Sequence, residues 1–213
     1  MDGECCIGDL GFAVKYDPAT NSVDVPDTER IGTKRYMSPE LLQSSKQPNN
    51  SIEFYLRSDI YSCSLVLWEI SGSCGLPEVG FRPRLYHIPY HGLVGTDPSF
   101  EEMYKVVVEE KKRPNLVKIP FMSNEYSGRE PGYVKAIKLM NKIIQECWYE
   151  DPSARLNVMR VKKYLNELKS QILDENNNYW NISDKNSIPN AFEKLPFGVF
   201  TVTAFSQTPN KEE

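Results

Sequence analysis

No run of about eighteen apolar residues occurs in this sequence, so no membrane-spanning helix is expected. An excess of positive charge is missing too. The 25 Lys and Arg against 29 Asp and Glu leave a net charge of −4, which gives no footprint for nucleic acid. Cysteine is sparse and odd in number: Cys5, Cys6, Cys63, Cys74 and Cys147. No spacing among them fits a zinc ribbon or a redox Cys-x-x-Cys. Buried thiols in a reducing compartment are the simplest reading. The two sequons, at Asn49 and Asn181, are silent there. The opening Met1-Asp2-Gly3-Glu4 is acidic and carries no apolar core, so no signal peptide is expected. Histidine is nearly absent, with His87 and His91 alone. There is no internal repeat.

What is present is ordinary for a globular chain. A length of 213 residues, 40% of them hydrophobic, suffices to bury a real core. Cys5-Cys6-Ile7 and Phe12-Ala13-Val14 predict two short strands around a Gly-containing turn. Residues 15–31 are polar, hold Pro18 and Pro26, and predict a loop. Pro39 suits the first turn of a short helix through Leu41-Leu42, where its missing N–H costs nothing. From Ser58 to Gly72 apolar residues occupy much of the helical wheel, which predicts a helix buried on most sides. Residues 71–96 read as a long connection with turns.

Ser99-Phe100-Glu101-Glu102 is a capping box and predicts a helix running towards Glu110, ended by Arg113-Pro114. Ile137, Met140, Ile144, Cys147 and Trp148 mark one face of a helix over 133–149. Val158, Val161, Leu165, Leu168 and Ile172 mark another over 157–173. The clusters Lys111-Lys112-Arg113 and Arg160-Val161-Lys162-Lys163 read as solvated faces. A polar tail follows over 174–213. Its one alternating run, Phe197 to Phe205, suits a strand only if a partner edge exists.

Four strings carry chemistry. Asp9-Leu10-Gly11 follows the first apolar run. Gly32-Thr33-Lys34-Arg35-Tyr36-Met37-Ser38-Pro39-Glu40 follows the polar loop. Asp59-Ile60-Tyr61 leads to Leu67-Trp68-Glu69 on the apolar helix. Ala154-Arg155-Leu156 precedes the last one. Together they resemble the activation segment and large-lobe helices F to I of a protein kinase. Asp97-Pro98-Ser99-Phe100-Glu101-Glu102-Met103 and Lys112-Arg113-Pro114-Asn115 bring the resemblance closer, to the type I receptors of the transforming growth factor beta and bone morphogenetic protein family. It covers residues 5 to about 172. The fold it implies is mainly α, an incomplete kinase fold with few short strands. Residues 1–173 would form a partial kinase domain.

The resemblance also assigns roles. Asp9 is implied as a ligand of magnesium or manganese, the ion that bridges ATP phosphates in this family. Leu10 stands where Phe is usual. Thr33, Lys34, Arg35 and Tyr36 are implied as the substrate-docking segment. Thr33 argues for transfer to Ser or Thr, because tyrosine kinases carry Pro in that region. Ser38 replaces a usual Ala. Glu40 is implied to pair with Arg155, and a buried pair of that kind loses about 3–5 kcal/mol when one partner is removed. Asp59 is implied to hold the backbone of the catalytic loop. Thr20, Ser22 and Thr28 are candidate phosphorylation sites. In the intact family a type II receptor activates the kinase, which phosphorylates receptor-regulated Smad proteins. The intact receptor crosses the plasma membrane once, with its kinase domain on the cytoplasmic side. This chain alone is expected to be soluble and cytoplasmic.

Other family parts are missing from the sequence. It holds no Gly-x-Gly-x-x-Gly and no His-Arg-Asp. No catalytic residue is retained, and Asp9 alone remains of the chemical groups. The expectation is a truncated fragment of a receptor serine/threonine kinase that transfers no phosphate by itself. Alternatives are a non-catalytic binding module or competitor, or a piece whose tail covers the exposed lobe.

Overall fold

The computed structural model describes residues 8, 13–24, 33–43, 51–74, 83–119 and 132–179, with side chains of the last helix described through Ser170. The described part is mostly helical. Strands β1 (Lys15–Asp17) and β2 (Ser22–Asp24) form an antiparallel hairpin, with Tyr16 opposite Val23. Helices α1 (Pro39–Gln43), α2 (Ile52–Ser73), α3 (Phe100–Tyr104), α4 (Gly132–Cys147) and α5 (Val158–Tyr179) follow.

The hairpin lies inside the stretch read from sequence as loop. Its turn is built from local side-chain bonds rather than from apolar patterning. The Asp17 carboxylate accepts from the Ala19 N–H and the Thr20 hydroxyl, both at 2.9 Å. Asn21 takes the left-handed conformation at φ 52° that turns the chain back. The strand expected at residues 12–14 is not seen at Ala13 and Val14. The one expected at residues 5–7, and the run 197–205, lie outside the described residues.

Helix α2 is the axis of the fold. It starts six residues earlier than the apolar pattern suggests. Its first turns carry charge on the outside and bury Tyr55. Tyr61, Leu65, Leu67 and Trp68 are buried along it, and the small residues Ser58, Ser64 and Gly72 are buried on the same helix. The small residues let neighbouring segments approach closely. Helix α4 packs its Ala136, Met140, Ile143, Ile144 and Cys147 into the same core, and α5 adds Val161 and Leu168.

Helix α3 opens on a complete capping box: Ser99 Oγ accepts from the Glu102 N–H at 3.1 Å, and Glu102 accepts from the Ser99 N–H at 2.7 Å. A π turn over Lys105–Glu109 widens its end, closed by the Glu110 N–H to the Lys105 carbonyl at 2.8 Å. Three buried valines, Val106, Val107 and Val108, occupy that turn. Helix α5 continues to Tyr179, beyond its last apolar match at Ile172. Among the described residues no helix is long and apolar enough to cross a membrane.

Thiol burial is uneven. Cys147 is buried, whereas Cys63 and Cys74 are only half-buried. Burial still pushes the Cys63 thiol up to about 11, and Cys147 further, so neither offers a thiolate at neutral pH.

Candidate functional site

Two local structures bring distant parts of the chain together beside the first half of α2. The first is a short 3₁₀ turn, Lys34–Tyr36, closed by the Tyr36 N–H to the Thr33 carbonyl at 2.9 Å. It delivers Ser38 and Glu40 to α2. The second is the 3₁₀ turn Pro152–Ala154, capped by Asp151, whose carboxylate accepts from the Ser153 N–H at 2.8 Å. Pro152 stands at its first position, where no N–H is needed. That turn delivers Arg155.

Glu40 and Arg155 meet there as a bidentate pair. Both guanidinium nitrogens donate to the two carboxylate oxygens at 2.7 Å. The Arg155 side chain is 0% exposed and that of Glu40 13%. Arg155 also donates to the carbonyls of Tyr149 and Arg57, each at 2.8 Å. Arg57 returns a bond to the Arg155 carbonyl at 2.8 Å. Burial by itself would push the Glu40 carboxyl up. The Arg155 guanidinium outweighs burial, and the Ser58 hydroxyl adds to it, so Glu40 sits below its ordinary value.

The 3₁₀ turn itself is held by the connection between α2 and α3. Arg35 is buried and donates to three backbone carbonyls: Pro89 at 2.7 Å, Thr96 at 2.8 Å, and Gly95. Those carbonyls face it because the connection turns tightly, with Tyr90 at φ 61° and Gly92 at φ 78°. The Tyr90 hydroxyl is fastened to that of Tyr61 on α2. Tyr36 donates to Glu69 at 2.6 Å, and Tyr86 donates to the other Glu69 oxygen at 2.9 Å. Burial and that carboxylate raise the Tyr36 phenol well above its ordinary value, so it stays a donor.

Of the four residues read as a docking segment, Arg35 and Tyr36 are therefore spent on internal bonds. Thr33 is exposed, and among the described residues nothing bonds its hydroxyl. Among the described residues Lys34 forms an ion pair only with the exposed Asp97, at 3.4 Å, and lies 5.8 Å from the centre of the Phe100 ring. Such a surface offers a hydroxyl and a cation to whatever lies across it.

Asp59 lies on α2, one position after Ser58. Among the described residues it has no hydrogen-bond partner. By area it is exposed, yet enough protein crowds around it that desolvation pushes its carboxyl up to about 6, while water still reaches one side. Thr20 and Ser22 are exposed on the hairpin, their hydroxyls 2.7 Å apart. Asp9 and Thr28 lie outside the described residues. Among the described residues no group of three or more His, Cys, Asp or Glu could hold a metal ion.

Sequence reasoning missed Arg113 and Arg84. Arg113 sits in a cluster read as solvated, but it donates to Val107, Trp148 and Glu150 and lies 5.2 Å from the Tyr61 ring centre. Arg84 stacks on Trp68 at 3.7 Å. Neither has a local signal: apart from the Lys112 carbonyl beside Arg113, the bonded partners of Arg113 lie on other elements, and Trp68 is 16 positions from Arg84.

A profile described as protein tyrosine and serine/threonine kinase matches residues 1–165, more than three-quarters of the chain. The chain belongs to that kinase family. The chain is 44% identical over 170 residues to TGF-beta receptor type-1 of Rattus norvegicus and, equally, of Homo sapiens. The match covers 80% of this chain and 31% of each receptor. Activin receptor type-1C of Rattus norvegicus is 43% identical over 164 residues, 77% of this chain and 30% of its own. The chain thus spans about a third of the length of the curated relatives it matches.

Proposed function

We propose that this chain is the activation-segment and large-lobe portion of a type I receptor serine/threonine kinase of the transforming growth factor beta and activin class. The observation that carries the reading is the buried Glu40–Arg155 pair, which anchors the turn Lys34–Tyr36 beside α2. In this reading Thr33 and Lys34 form the open edge of a substrate-docking surface, with Arg35 and Tyr36 as its internal braces. Residues 1–173 make the partial kinase domain and 174–213 a tail. Asp59 supports the catalytic-loop backbone of the whole kinase. Its position supports this role, because an ionised carboxylate crowded by protein and lacking a donor gains from one.

In this reading ATP with magnesium or manganese is the phosphoryl source in the whole protein, as the kinase family model implies. Asp9 is the metal ligand in this reading. Smad-type proteins are its substrates, a type II receptor its activator, and the cytoplasmic face of a membrane its place. Phosphorylation at Thr20 or Ser22 would act on the hairpin, since a phosphate there repels the Asp17 carboxylate that holds the turn. Thr28 is the third candidate. These 213 residues by themselves transfer no phosphate, because phosphoryl transfer needs a base and a phosphate-covering loop that they do not contain.

A chimera tests this. The kinase-domain segment that precedes the matched region in TGF-beta receptor type-1 is fused ahead of this chain. ATP-dependent phosphorylation of a Smad protein is the expected result, lost on Asp9→Ala. This chain alone is expected to give none. A folded but inactive chimera would overturn the receptor-kinase reading. Transfer by the isolated chain, abolished by Asp9→Ala, would overturn the inactivity.

A further inference from the structure

Ser38 stands just before α1, and the Leu42 N–H bonds its carbonyl at 3.0 Å. That is the N-cap position, where a serine hydroxyl ordinarily accepts from an N–H of the first helical turn. No such bond is formed. The Ser38 hydroxyl turns instead to α2 and lies 2.9 Å from the Ser58 Oγ. Ser58 in turn lies 2.9 Å from Oε1 of Glu40. Both serines are shut off from water, at 0% and 1% exposure.

The direction of both protons follows from charge. Glu40 receives two guanidinium N–H groups from Arg155 and is a carboxylate, so it cannot donate. Ser58 has one proton and must give it to Glu40. Its oxygen is then free to accept, and Ser38 must supply that proton. Donation therefore converges on Glu40: Ser38 donates to Ser58 and Ser58 to the carboxylate, while Arg155 donates to it from the other side.

We infer that Ser38, Ser58, Glu40 and Arg155 act as one unit, in which Ser58 is a positioning residue that aims the Glu40 carboxylate at Arg155 and Ser38 is its donor. The inference rests on buried geometry and stands whether or not the chain serves a receptor kinase. It has an asymmetric consequence. Ser38→Ala removes one neutral hydrogen bond and strands nothing. Ser58→Ala removes a donor from a charged acceptor and also leaves the Ser38 hydroxyl buried without an acceptor. Adding Ser38→Ala to Ser58→Ala removes that stranded hydroxyl.

Thermal unfolding of this chain and three variants reads the asymmetry. Ser38→Ala is expected to lower the melting temperature by about 2–4 °C, and Ser58→Ala by at least about twice that. The double variant is expected to melt no lower than Ser58→Ala alone. A carboxyl NMR titration supplies a readout that packing loss alone would not move. The Glu40 midpoint should rise in Ser58→Ala and stay in place in Ser38→Ala. If Ser58→Ala does not fold, the unsubstituted chain still decides: the Ser58 hydroxyl proton should exchange slowly and shift as Glu40 titrates. Equal and additive losses, an unmoved Glu40 midpoint, or a Ser58 proton indifferent to Glu40 would each overturn the proposal.

Discussion

Glu40 and Arg155 are 115 positions apart in sequence and form a fully bonded buried pair. Its net contribution over a well-packed apolar pair is small, because two charges left water to make it. Breaking it is another matter. Glu40→Gln leaves the Arg155 guanidinium buried without its counter-charge, and the expected loss is about 3–5 kcal/mol in urea unfolding. A loss below about 1 kcal/mol would mean that water reaches Arg155. The pH dependence has a sign. Glu40 is held below its unfolded value, so its contribution is present above the ordinary carboxylate range and is lost as pH falls from that range down through the lower folded value.

Asp59 runs the opposite way. Its carboxyl is pushed up to about 6 by desolvation, so the folded state resists its ionisation. The penalty is absent at low pH, grows as pH rises from the unfolded value through about 6, and is complete above that. Asp59→Asn should therefore stabilise the chain at pH 7.5 and make little difference at pH 4. Melting curves at the two values check this. A stabilisation equal at both would remove ionisation as the cause.

Helix α2 ends on a close fit. A Cβ on Gly72 would lie 2.2 Å from a guanidinium nitrogen of Arg84, which stacks on Trp68. The obstacle is the mobile end of a long side chain, so it swings away rather than breaking the fold. The stack is worth about 0.5–2 kcal/mol. Alanine recovers up to about 1 kcal/mol of helix propensity over glycine. The two nearly offset, and Gly72→Ala should change stability by less than about 1 kcal/mol. Its consequence lies in coupling. In the Gly72→Ala background Arg84→Ala should cost nothing, whereas alone it should cost the stack. Additive losses in that double-mutant cycle would show that Arg84 finds another seat. The capping box of α3 was legible in four letters, because all its bonds are local. The hairpin over residues 15–24 was not. Its strands are three residues each, and its turn rests on Asp17 and Asn21, which periodicity does not register.

Across the whole molecule, helix α2 organises the packing but keeps part of its surface open. Leu56 and Val66 are 37% and 38% exposed, with Asp59 between them in sequence. An apolar strip around a desolvated carboxylate favours association with another surface. We expect this chain to bind the apolar dye ANS at neutral pH, and the chimera described above to bind less. Equal binding by the two would mean that the added lobe does not cover α2.

The sequence by itself determined the elements whose bonds are local or periodic: the helices at α2, α4 and α5, the capped start of α3, and Pro39 at the head of α1. It also carried the kinase resemblance, since those strings are contiguous. Only the tertiary structure decided how the candidate docking residues are used. Arg35 and Tyr36 look like surface groups in a polar string. They turn inward because the connection after α2 brings three carbonyls to Arg35 and α2 itself presents Glu69 to Tyr36. Ser38 reads in the sequence only as a replacement for a usual Ala, and the structure puts it at the head of α1. It serves Glu40 instead, because α2 places Ser58 at hydrogen-bonding distance. The reason is common to all of them. A polar side chain takes its role from the partner that folding delivers, and that partner lies 20 to 61 positions away.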